Sequence, residues 1–152
     1  MKIRTIWHFC FLISIFGCCQ NNLEVNLDRI KTASVKLKPL HSIIAKSKID
    51  VRKDAELINV NSVNIASCSN DTLRTALVDV LKVCDCSQIY ILKDCQIFMV
   101  GQKEQLFKTE NYYVIESKID CLPKVSKLLQ LELIEKLDEN WCLFKEVTSV
   151  AN

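Results

Sequence analysis

The chain has 152 residues, with 20 Lys and Arg against 18 Asp and Glu, 49% hydrophobic residues, nine cysteines and only two glycines and two prolines. A net charge of +2 gives no whole-chain field that would favour nucleic acid or acidic lipid. The scarcity of glycine argues against phosphate-cradling loops and against hairpins that need residues at positive φ.

The N-terminus reads as a secretory leader. Lys2 and Arg4 precede the apolar run Ile6–Phe16, which is short for a bilayer span, and Gly17-Cys18-Cys19 supplies the small residues a signal peptidase needs. Cleavage is expected after Cys19, to within two residues. That leaves residues 20–152 as one domain in which Lys and Arg equal the 18 Asp and Glu, exported and not inserted in a membrane. Six cysteines then remain: Cys68, Cys84, Cys86, Cys95, Cys121 and Cys142. An even count in an exported chain reads as three disulfides, of which spacing selects none of the fifteen pairings, although Cys84 and Cys86 are too close to pair comfortably with each other.

Apolar residues at Leu23, Leu27, Ile30, Ala33, Leu37, Leu40 and Ile44 predict a first helix from Asn22 to about Lys46, broken or restarted at Pro39. Residues 47–68 lose that period and predict a long connection with one short strand near 57–65. Ser69, Asn70 and Asp71 offer N-caps to a second helix ending near Cys84. Residues 88–100, closed by Gly101, predict a third helix, although 88–92 would also serve as a strand. A second long connection, 102–122, holds the strand candidate Tyr112–Ile115, expected to pair with the first short strand. Pro123 opens a fourth helix lined by Leu129, Leu133, Ile134, Leu137, Trp141 and Phe144, running to about Glu146.

Two long links around one tight corner predict an all-α, up-up-down-down four-helix bundle. That order of links, the cysteines, and Cys121-Leu122-Pro123 opening a helix that closes at Asn140-Trp141-Cys142 resemble the short-chain four-helix cytokines. The resemblance implies a secreted, monomeric, non-catalytic ligand that bridges cell-surface receptor chains. It points to Asp28, Lys31, Val35 and Lys38 on the first helix as contacts. On the last helix it points to Leu128, Leu131, Glu132, Glu135 and Glu139, two leucines ringed by carboxylates. The alternative expectation is an exported, disulfide-linked helical carrier of a small apolar molecule.

Asn70-Asp71-Thr72 is an N-glycosylation sequon whose Asn is also a candidate cap. His41 is the one histidine after the leader and has no nucleophile in context, so no catalysis is expected. The cysteine spacing offers no paired metal ligands, so neither metal nor cofactor is expected.

Overall fold

A computed structural model describes residues 23–47, 57–92, 95–117, 120 and 122–149. The expected leader and Cys121 lie outside the described residues. The elements in chain order are helix α1 (Leu27–Leu37), a 3₁₀ turn (Lys38–Leu40), α2 (His41–Lys46), strand β1 (Leu57–Asn61), α3 (Ser62–Ala66), α4 (Asp71–Cys84), β2 (Gln88–Leu92), β3 (Cys95–Gln105), β4 (Lys108–Glu116), α5 (Leu122–Leu129), β5 (Glu132–Lys136) and β6 (Trp141–Ser149).

Asparagine starts three of the helices. Asn26, Asn61 and Asn70 each accept, through Oδ1, the backbone N–H three residues on, at 3.2, 2.9 and 3.0 Å. Each bond satisfies a donor that the first helical turn leaves without an internal partner. Pro39 falls in the 3₁₀ turn that separates α1 from α2, where its missing N–H interrupts the helical hydrogen-bond ladder although Lys38 before it keeps helical backbone (φ −47°, ψ −50°).

The strands form one antiparallel six-stranded sheet in the order β1-β2-β3-β4-β6-β5. Side chains alternate between its faces. Val60, Ile89, Ile91, Phe98, Val114, Trp141 and Leu143 face a core filled by Ile30, Ala33 and Leu37 of α1, Ile44 of α2, Ile65 of α3 and Leu73, Leu77 and Val80 of α4. Ile97, Met99, Tyr113, Ile115, Cys142 and Phe144 face the other way, into a second core that includes Val125 of α5. The β5 strand ends the sheet, exposed along its whole length, and its pairing with β6 slips at a bulge between Leu133 and Glu135.

The four-helix bundle is therefore overturned, and the cytokine resemblance with it, since the chain builds a mixed α/β fold on an antiparallel sheet. Residues 88–92 and 95–101, expected as a helix, form β2 and most of β3. Their β-branched and aromatic residues suit a pleated surface, and the unbroken apolar run Ile97-Phe98-Met99 reflects burial on both faces. Gly101 is not a helix cap. It lies in β3 beside a register shift, where an added Cβ would collide with the Leu23 side chain.

The expected last helix ends at Leu129. Gln130 turns into left-handed backbone (φ 51°), the Leu131 N–H returns to the Ser126 carbonyl at 3.0 Å, and residues 132–149 form β5 and β6. The two short strands expected to form a ribbon exist as β1 and part of β4, but they pair with β2 and with β3 and β6 instead. Replacing Asn70 with Ala is expected to lower stability by about 1 kcal/mol, the usual worth of an N-cap, with unchanged far-ultraviolet circular dichroism. Urea unfolding measures it.

Candidate functional site

The packing of α3 beside α4 leaves a solvent-open cleft of about 800 Å³. Arg74, Val78 and Lys82 stand four residues apart on α4, so they form one stripe, with Leu81 beside it. Ile65 and Ala66 of α3 supply the facing wall, and Ser62, Asp85, Cys86 and Ser87 complete the lining. The walls are apolar and the charges sit at the ends of the stripe. Arg74 is braced by an ion pair to Asp71 and by the Cys68 carbonyl at 3.4 Å, whereas Lys82 is exposed.

The lower end of the cleft is the C-terminus of α4. Asp85 adopts left-handed backbone (φ 57°, ψ 38°), and the Cys86 N–H returns to the Leu81 carbonyl at 3.3 Å. Arg29 reaches across from α1. Its Nε and Nη2 donate to the carbonyls of Val83 and Lys82 at 2.8 and 2.9 Å, and Nη1 lies 3.5 Å from the Asp85 carboxylate. A guanidinium there satisfies carbonyls left open at the helix end and opposes the negative end of the helix dipole. The thiols of this corner donate to backbone carbonyls, Cys84 to Leu81 and Cys86 to Cys84, both at 3.4 Å. The neighbouring Cys86 side chain holds the Cys84 thiol below its ordinary value, with the Arg29 charge adding to the effect, while the Cys84 side chain and burial push Cys86 up.

Of the nine residues expected to contact a receptor, Lys31, Lys38, Leu131 and Glu132 have partners within the fold, and the other five are exposed. Lys31 pairs with Asp138 at 2.5 Å, and Lys38 lies 3.9 Å from Glu116, so both link α1 or the turn after it to the sheet. Asp28 and Val35 are exposed on α1, and Asp28 borders a shallow 440 Å³ depression with Arg29, Thr32, Lys82 and Val83. Leu128 is exposed on α5, whereas Leu131 packs against the second core. Glu132, 3.4 Å from Lys145, and Glu135 lie on β5, and Glu139 follows in the connection to β6. The ring of carboxylates around two leucines is therefore not assembled, because its members do not share a helix.

Asn70 caps α4. His41 bonds the side chain of buried Gln96 at 2.9 Å, and Gln96 Nε2 also donates to the Ser34 carbonyl at 3.3 Å, fastening the helices to β3. Of the six cysteines, Cys68, Cys84 and Cys86 lie in the helix-side core and Cys95 and Cys142 in the core across the sheet. Among the described residues no helix is long and apolar enough to cross a membrane, and no three His, Cys, Asp or Glu side chains are grouped to hold a metal ion. Sequence reasoning missed Arg29, Arg74, Val78 and Lys82. The last three were legible as a period-four stripe off the core face of α4.

Comparison with protein-family models, with curated proteins and with solved structures finds no match.

Asp138 accepts the backbone N–H groups of Asn140 and Trp141 at 2.7 and 2.9 Å as well as the Lys31 charge. The Lys31 bond foremost, then the backbone donors, hold its carboxyl below the usual range. A depressed folded-state value means that the group's stabilisation is complete above the ordinary carboxylate pKa, about 4, and is lost as pH falls through the folded-state value. Asp138→Asn is expected to remove that part of the acid-side loss, which urea midpoints collected across this pH range would show.

Proposed function

We propose that this protein is a non-catalytic binding protein whose α3–α4 cleft takes a small amphipathic anion. One observation carries the reading: a single open cleft of about 800 Å³ combines apolar walls with Arg74 and Lys82. Its volume falls in the range of about 300–1,000 Å³ usual for small-molecule sites, which are largely apolar with a few polar groups that fix orientation. Ile65, Ala66, Val78 and Leu81 suit a hydrocarbon or aromatic body, and the exposed Lys82 ammonium suits a carboxylate or sulfonate head. Arg74 offers the second positive end of the stripe.

Receptor bridging was expected to use a last-helix face that this fold replaces with β5 and β6. Carriage of a small molecule needs only a cavity, so that expectation survives without its helical bundle. With the leader expected at residues 1–19, the reading is of an exported carrier.

The probe of choice is 1-anilinonaphthalene-8-sulfonate, an amphipathic anion whose fluorescence rises on leaving water. Saturable micromolar binding is expected. Val78→Asp, which places a carboxylate on the apolar wall, should weaken it about tenfold, equivalent to ~1.4 kcal/mol. Lys82→Glu should weaken it less, and both variants should keep the wild-type circular dichroism. Equal binding by wild type and Val78→Asp would place the dye elsewhere and remove the cleft from the proposal.

A further inference from the structure

Cys84 is the last residue of α4, and Cys86 follows after left-handed Asp85. That reversal of backbone curvature turns Cys86 back onto the end of α4, where its N–H meets the Leu81 carbonyl at 3.3 Å. The Cys86 thiol donates to the Cys84 carbonyl at 3.4 Å, and the Cys84 thiol donates to the Leu81 carbonyl at 3.4 Å. Cys68, the third thiol of this core, precedes Asn70, the cap at the opposite end of α4. The intervening 14-residue helix spans about 21 Å at 1.5 Å per residue. A disulfide tolerates a Cα separation of only about 7 Å. Cys95 and Cys142 belong to the core on the other side of the sheet. Among the described residues, Cys84 and Cys86 thus have only each other within reach. Cys86 also lines the α3–α4 cleft, which opens to solvent.

We infer that Cys84 and Cys86 form a thiol–disulfide exchange site, reached through the cleft by a small disulfide-class oxidant. The inference uses the cleft as a route and does not rest on the ligand proposed for it. In the first step Cys86 attacks one sulfur of the oxidant while its proton passes to water, from which the second leaving thiolate later recovers one. The oxidant's S–S bond breaks, and its electron pair leaves with the first thiolate, joining Cys86 to the other half as a mixed disulfide. Cys84 then gives its proton to the departed thiolate and attacks the Cys86 sulfur, expelling the second thiolate. Two protein thiols are oxidised to one disulfide, and one small disulfide is reduced to two thiols.

Arg29, 3.5 Å from Asp85 and donating to the end of α4, favours the single negative charge that this pair carries during the exchange. Closing so short a loop restricts the unfolded chain little, so the bond serves as a reversible couple and not as a brace.

The test uses the full chain, reduced, then exposed to oxidised glutathione and quenched with iodoacetamide at intervals. Trypsin releases Val83–Lys93, which carries both cysteines. This peptide is expected to lose two hydrogens and become unreactive about tenfold faster than the peptides carrying Cys68 or Cys142 are modified. Cys84→Ser should accumulate a stable glutathione adduct on Cys86, because the resolving thiol is gone, and before exposure to glutathione the reduced variant should bind dye in the cleft as the wild type does. Linkage of Cys84 or Cys86 to any other cysteine, or a wild-type protein that stops at the mixed disulfide, would overturn the inference. If the serine variant does not fold, the wild-type peptide map decides alone.

Discussion

Burial of both faces of β3, β4 and β6 is the constraint on which the other elements depend. Three adjacent strands carry Ile97-Phe98-Met99, Tyr113-Val114-Ile115 and Trp141-Cys142-Leu143-Phe144, all buried, so each face of the sheet must be covered. Each fully buried side chain of this size contributes roughly 1.5–3 kcal/mol when taken from water. A sheet with only one side sheltered would forfeit about half of that. Helices α1 to α4 supply one cover and α5 belongs to the other. The α4 helix matters most for the site, because its buried residues Leu73, Leu77, Val80 and Cys84 hold it to the sheet. Its opposite stripe is left free to form a cleft with α3.

This constraint explains what was legible in the sequence and what was not. The α4 helix could be read because it buries one stripe and because Asn70 caps it, and the break at Pro39 follows from covalent structure. The strands 95–99 and 141–144 could not. A strand buried on both sides shows no alternation of apolar and polar residues, and a short continuous apolar run fits a buried helix equally well. Leu133, Leu137, Trp141 and Phe144 matched a helical period only because residues on two strands and their connection happen to be so spaced. Leu133 in fact sits across from Phe144 in the ladder.

The scarcity of glycine misled for a different reason. Positive φ occurs, among the described residues, only at Asp85 and Gln130. The hairpin joining β3 to β4 turns through Leu106 and Phe107 alone, without left-handed backbone, and Asp138 holds the next hairpin turn with its own carboxylate. Side-chain hydrogen bonds and an aspartate in the left-handed region replace glycine here. Of the candidate site, the cations and apolar residues of α4 were open to inspection as a stripe. The contribution of Arg29, which is 53 and 54 residues away from the carbonyls it binds, depends on tertiary packing that spacing does not encode.

The five residues of β5 have a consequence for crowding. An outermost strand offers a row of unused backbone donors and acceptors on which further strands can grow, the first step of fibril formation. Here that row is only five residues long, its bulge at Leu133–Glu135 throws the donors out of step, and Glu132, Glu135 and Lys136 would each have to shed water before another chain could dock. Leu133 and Ile134, which would otherwise invite such growth, are confined to a template too short and too irregular to copy.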